Sequence, residues 1–279
     1  MINRPSPISA PRHASSFPLS WKDVSPLGLG TVKFGRNTGV KYPGGEGFAL
    51  PSDAEVEALL DLTLECGINL IDTAPAYGIA EERLGSLLGA RREKFFIVTK
   101  TGEEFRDGRS DYIFTATHTR MSVERSLKRL RTEYIDCVLV HSNRDDARVL
   151  TQTPVLETLA ALKSEGKIGS FGASTYTLEG GRAAVDLSDA VMVAYNKGYT
   201  DELPVIEYAR EKGRAVLVKK GLASGHIGGL GDVGDNIRFI AGTPGVTCMV
   251  FGSLRADNIL ANARALGGGS LENQGKNTQ

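Results

Sequence analysis

Residues 123–141 read VERSLKRLRTEYIDCVLVH. Val123, Leu127 and Leu130 recur at i, i+4 and i+7 among Arg and Lys, the stripe of an amphipathic helix. Residues 135–140 then run almost continuously apolar, broken only by Asp136, as a strand buried on both faces does. A helix that feeds a buried strand is one step of a parallel α/β fold. The same step repeats outward along the chain in both directions.

Further strands are predicted at 27–30, 69–71, 95–99, 168–172, 190–194, 215–218 and 247–251. Helices alternate with them. One opens on the capping box Ser52–Glu55 and carries Val56, Leu60 and Leu64 on one face. Others fall at 80–90, 153–165, 178–185, 201–212, 234–240 and 256–266, and Gly67, Gly166 and Gly213 supply helix stops. The span from Leu27 to Leu266 thus holds eight βα units of about 30 residues each. That count favours a single closed (β/α)8 TIM barrel, typically about 250 residues long, over an open doubly wound sheet or two modest domains. Residues 1–20 are expected to form an irregular arm, 21–266 the barrel and 267–279 a disordered tail. The first βα loop, 31–51, contains five glycines and is expected to shape the barrel mouth.

The 279-residue chain has 33 Lys+Arg against 33 Asp+Glu and is 41% hydrophobic. A balanced charge argues against a nucleic-acid partner, which calls for a basic footprint. Cys66, Cys137 and Cys248 are far apart within apolar runs and suggest reduced core thiols, neither disulfides nor a metal site. The Pro- and Ser-rich start lacks a signal-peptide core, and no run is long enough for a membrane span. A cytoplasmic monomer acting on a small molecule is the expectation.

Barrels of this kind build their sites at the C-terminal strand ends. There the sequence sets Asp72 after the second strand, Lys100 after the third and His141 after the fourth, with Tyr77 in the loop that follows Asp72. Asp72 can pair with Lys100, and a cation beside Tyr77 favours the phenolate of a group that ordinarily titrates near 10. Tyr77 can then give a proton to a carbonyl oxygen or take one back, while His141 orients that oxygen. Such a pocket suits reversible carbonyl reduction. The hydride must come from a nicotinamide cofactor.

Several stretches together resemble the aldo-keto reductase signature. They are Gly67 to Ala74, Tyr77–Gly78, Glu81 to Gly85, Thr99 to Gly102, Ser126 to Asp136 leading to His141, Gly166 to Ile168, Phe171 to Ser174, Tyr195–Asn196 and Gly252–Ser253. The resemblance covers about residues 24–266 and implies the tetrad Asp72, Tyr77, Lys100 and His141, with Tyr77 the general acid. It also implies NADPH, with NADH the second choice. Gly30, Thr31, Ser174, Thr175, Lys219, Lys220, Gly221, Leu222, Gly252, Ser253, Arg255, Asn258 and Asn262 are the implied cofactor contacts. Three positions depart from the family pattern. Ser174–Thr175 stands where Ser-Asn is usual, Met192 where Gln is usual, and Lys219 where an aromatic often stacks on the nicotinamide. At the adenine end Arg255 is placed to meet a 2′-phosphate, although the family's usual Arg position holds Asn258.

The leading expectation is an NADPH-dependent reductase of aldehydes or ketones. Its rivals are an NAD-dependent sugar or alcohol dehydrogenase, motivated by Asn258, and a nucleotide-binding redox sensor with little turnover, motivated by Met192 and Lys219. Gly229 to Gly234 fits G-x-G-x-x-G but follows a seventh strand, so a chance match in a loop beside the cofactor is expected. His13, His118, His226, Arg91, Arg92, Lys128, Arg129 and Arg131 are read as surface residues, and Trp21 as part of a hairpin below the barrel. The substrate-pocket walls are expected from residues 31–51, 103–116, 142–152 and 220–233.

Overall fold

A computed structural model describes residues 17–40, 47–225 and 231–267. Eight parallel strands close into a barrel: β1 (Leu27–Gly30), β2 (Leu70–Asp72), β3 (Phe96–Thr101), β6 (Ile135–His141), β7 (Ile168–Ser174), β8 (Ala190–Ala194), β9 (Ala215–Lys219) and β10 (Cys248–Phe251). Between β3 and β6, where a loop is expected from sequence, lies an antiparallel hairpin, β4 (Glu103–Arg106) and β5 (Arg109–Tyr112). The helices are α1 (Val32–Gly35), α2 (Asp53–Glu65), α3 (Ala80–Leu87), α4 (Ala116–Arg129), α5 (Asp146–Gln152), α6 (Val155–Ser164), α7 (Leu178–Leu187), α8 (Leu203–Glu211), α9 (Val233–Ala241) and α10 (Ala256–Gly267). The short α1 and α5 were also missed. The Ser52–Glu55 capping box opens α2 as expected.

The period of two decides what faces the barrel axis. Leu70, Phe96, Val98, Cys137, Leu139, Met192, Leu217 and Cys248 form one buried cluster inside the barrel. Ile71, Ile97, Val138, Val140, Val191 and Val218 pack outward against the helices. Register carries this parity from strand to strand: Gly30 lies beside Asp72, Lys100 beside Leu139, His141 beside Ser174, Ser174 beside Met192 and Ala194 beside Lys219. Asp72, Lys100, His141, Ser174 and Lys219 therefore top the inward columns. Each lies inside its strand, not after it, because the ladder continues past the apolar run.

The lower end is closed differently from expectation. Trp21 lies in a 3₁₀ turn, Trp21–Asp23, not a hairpin, and its ring meets Phe96 at 4.5 Å between centroids. Leu19 and Val24 join the interior cluster beside it. Residues 1–16 and 268–279, with His13, His226 and Gly229, lie outside the described residues, as do most of the arm and tail assigned from sequence.

Several residues read as surface cations are structural. Arg92 donates to Asp136 Oδ2 at 2.8 Å and to the Tyr134 carbonyl at 2.7 Å, and Asp136 also accepts the Ile97 amide. Arg91 pairs with Asp61 at 2.6 Å. Arg129 reaches Glu82 at 2.8 Å, and Glu81, fully buried, at 3.4 Å.

No helix among the described residues is long and apolar enough to cross a membrane.

Candidate active site

Lys100 is 2% exposed, and its Nζ donates to Asp72 Oδ1 at 2.6 Å and to the Thr73 carbonyl at 2.9 Å. Two buried charges of opposite sign thus satisfy each other where either alone would be costly. The same Nζ lies 4.9 Å from the centre of the Tyr77 ring, and that ring meets His141 edge-on at 6.4 Å. The four predicted residues converge.

Tyr77 is held by a close approach of two loops. Gly78 adopts φ +63°, and a Cβ there would stand 2.1 Å from the Gly35 carbonyl oxygen. A Cβ on Gly35 would meet the Ala80 amide at 2.2 Å. Glycine at both positions lets α1 dock on the loop; Arg36 Nη1 secures it by donating to the Ala76 carbonyl at 3.1 Å. The first loop thus acts by clamping Tyr77.

His141 has a partner that the sequence reading missed. Its Nδ1 lies 2.6 Å from Glu103 Oε2, on the hairpin. Burial raises the Glu103 carboxyl, but His141, Ser110 and Arg36 outweigh it and hold the group at about 2. The carboxylate is charged, so a contact this short calls for the proton on Nδ1. Burial pushes His141 below its ordinary value against the pull of Glu103. The hairpin is pinned from its other face, where Glu104 meets Arg125 and, at 3.0 Å, His118 Nε2. His118 is accordingly buried, not a surface residue. Adjacent carboxylates pointing to opposite faces, Glu103–Glu104, are the signal that could have found this strand.

A cavity of about 670 Å³ opens from these four residues across the barrel mouth. Ser174, Met192 and Lys219 line its far wall, Lys220, Gly221 and Leu222 its side, and Gly252, Ser253, Arg255, Asn258 and Asn262 its outer end. Gly30 lines it as well. Two predicted contacts do not reach it: Thr31 is fully buried and donates to the Asp72 carbonyl at 3.0 Å, and the buried Thr175 offers its carbonyl to Lys219 at 2.7 Å. Both hydroxyls sit at strand ends where the parity turns them away from the axis. Of the loops expected to form walls, 103–116 and 142–152 contribute no lining residue. Asn196 and Asn236, which the reading also missed as supports, hold the loop carbonyls of Lys220 and Gly221.

Lys219 Nζ donates to Ser174 Oγ at 2.9 Å and to the Thr175 carbonyl at 2.7 Å, and sits 3.9 Å over the Tyr176 ring. Burial lowers it to about 7, with Glu202 opposing and Lys220 adding to the shift. At the outer end Ser253 Oγ accepts from the Arg255 amide at 3.1 Å and from Asn258 Nδ2 at 3.2 Å.

The profile of the Aldo/keto reductase family matches residues 26–238. The chain belongs to the aldo/keto reductase family. A Pseudomonas aeruginosa structure described as an aldo-keto reductase is 48% identical and superposes with a TM-score of 0.80 over 88% of this chain and 90% of that one. Protein tas of Escherichia coli is 31% identical over 201 residues, 62% of this chain and 54% of that protein. D-arabinose 1-dehydrogenase of Saccharomyces cerevisiae is 34% identical over 137 residues, 46% of this chain and 39% of that protein. The chain therefore spans about half the length of these two relatives or less. Much of the family signature is scaffold in this aldo-keto reductase. Glu81 accepts from Thr99 at 2.6 Å, Arg83 donates to the Phe34 carbonyl at 2.8 Å, and a Cβ on Gly85 would stand 2.0 Å from the Arg129 carbonyl.

Proposed function

We propose that this aldo-keto reductase reduces aldehydes or ketones to alcohols with NADPH, and that Tyr77 is the general acid. The observation that carries the reading is the Lys100 ammonium, buried against Asp72 and 4.9 Å from the Tyr77 ring, at the inner end of the cavity. As Tyr77 gives up its proton to a carbonyl oxygen, negative charge builds on Oη. The nearby ammonium stabilises that charge, and Asp72 keeps the ammonium in place.

The donor set suits a dinucleotide. The cavity volume falls within the range of small-molecule sites, about 300–1,000 Å³. Its outer end offers Arg255 and the N-terminus of α10, a site for anions, with Lys220 along the side. Gly252, Ser253, Arg255, Asn258 and Asn262 would hold the adenosine end, and Ser174, Lys219, Lys220, Gly221 and Leu222 the remainder. When bound, the reduced nicotinamide supplies the hydride that no side chain can. With Nδ1–H turned to Glu103, the neutral His141 ring has Nε2 left to accept a proton from an alcohol or from Tyr77; it donates to a carbonyl oxygen only as the imidazolium.

A second reading, an NAD-dependent sugar dehydrogenase, draws on Asn258, which bonds Ser253 where an Arg is usual, and on the exposure of Arg255, 75% at its side chain. The name of the Saccharomyces cerevisiae relative points the same way. Affinities for NADPH and NADH separate the two, and clear preference for NADH would favour the second. Consumption of NADPH with a panel of aldehydes and ketones tests the first. Tight nucleotide binding without turnover of any carbonyl would instead favour a redox sensor.

A further inference from the structure

We infer that Lys219 makes the site discriminate between the oxidation states of its nucleotide, weakening the oxidised, positively charged nicotinamide relative to the neutral reduced ring. The inference rests on the proposed function and adds a specificity residue to it. Its basis is position. Asp72, Lys100 and His141 top the inward columns of β2, β3 and β6 on one side of the mouth, while Ser174 and Lys219 end β7 and β9 on the other, with Met192 of β8 beside Ser174. A dinucleotide with its phosphates near α10 has to bring its redox ring to the inner end of the cavity, against the wall that faces Tyr77. Lys219 is part of that wall.

The cation is fixed there. Ser174 Oγ, the Thr175 carbonyl and the face of Tyr176 hold Nζ from three directions. All three partners are neutral, so the charge is solvated but not cancelled. The groups that act on it from neighbouring elements are Glu202 before α8 and Asp146 in α5, which favour the charge, and Lys220, Lys100 and, when protonated, His141 at the end of β6, which oppose it. Neither carboxylate lies within ion-pair distance of Nζ among the described residues. By contrast, Lys100 is neutralised in contact by Asp72. A pyridinium entering the cavity is therefore repelled by a cation that no carboxylate contacts, whereas a neutral dihydropyridine is not. The consequence is weak retention of oxidised nucleotide after turnover, which biases the site toward reduction.

The test is the ratio of Kd for NADP⁺ to Kd for NADPH, measured by calorimetry or fluorescence on the full chain at about pH 6 and about pH 8.5, on either side of the Lys219 value. A ratio of about tenfold or more is expected at the lower pH, the size of a like-charge contact partly screened by water. It should shrink at the higher pH as Lys219 loses its proton. Lys219→Met should bring the ratio close to one at both pH values, and Lys219→Arg should keep it high at both, which separates Lys219 from its titrating neighbours. The 2′-phosphate is common to both nucleotides and cancels. A wild-type ratio near one at the lower pH, or a high ratio that Lys219→Met leaves intact, overturns the inference while leaving the proposed function standing. Failure of the wild-type chain to bind either nucleotide overturns both.

Discussion

Two lysines, one on each side of the barrel mouth, are buried in opposite ways. Lys100 at the end of β3 meets a carboxylate at 2.6 Å; Lys219 at the end of β9 meets two neutral oxygens and an aromatic face. Both strands feed the same cavity with the same parity, so the difference lies in the partners. Pairing with Asp72 holds one lysine in place beside Tyr77. Lack of a contacting carboxylate lets burial bring the other down to about 7, where its charge follows the pH of the medium. One half of the mouth is arranged to move a proton. The other is arranged to sense charge.

Removing the two cations should separate these halves most strongly. Lys100→Met strands Asp72 in the interior and is expected to cost about 3–5 kcal/mol in denaturant unfolding, with turnover falling at least about a hundredfold. Lys219→Met should change stability by no more than about 1 kcal/mol, since relief of a buried charge offsets the two lost hydrogen bonds. Equal losses for the two variants would erase the contrast. The unfolded chain holds the Lys219 proton more tightly than the folded one. Stability should therefore rise with pH between about 7 and 10.5, and Lys219→Met should remove that contribution to the slope.

Glu103→Gln probes the proton-moving half more gently. Turnover should fall about tenfold, as expected when a reacting group loses its orientation. The limb of the pH profile set by His141 should move to lower pH, because the carboxylate that favours the imidazolium has gone. Glu103→Asp should restore part of the rate. A pH profile unchanged in Glu103→Gln would reduce Glu103 to a strut of the hairpin. The smallest effect belongs to the exposed outer end. Arg255→Ala should weaken NADPH by a few-fold, roughly the worth of a solvent-exposed ion pair, and leave NADH unchanged in the same titration.

The sequence made the barrel legible because two kinds of signal agreed. Each apolar strand run was followed by a helical stripe, and capping residues such as Ser52 marked the joins. Asp72, Lys100 and His141 were legible for the same reason, each standing where an apolar run ends, and Tyr77 by its place in the loop after Asp72. What escaped were features set by partners distant in sequence. Nothing near His141 announces Glu103, 38 residues earlier, and nothing near Arg92 announces Asp136, whose side chain it meets at 2.8 Å. Lys219 stood out in sequence as an implied cofactor contact and as a departure from the family pattern. Its hold on Ser174, Thr175 and Tyr176 depends on the pairing of β7 and β9 with β8, which sets the two strand ends on the same wall.

The central claim is that Tyr77, activated by the Lys100–Asp72 pair, protonates the carbonyl. It is tested most directly by measuring NADPH-dependent carbonyl turnover and NADPH affinity side by side for the wild-type chain and Tyr77→Phe. Turnover is expected to fall by about 10²–10⁴-fold with affinity within about twofold of wild type. Turnover undiminished in Tyr77→Phe would contradict the assignment.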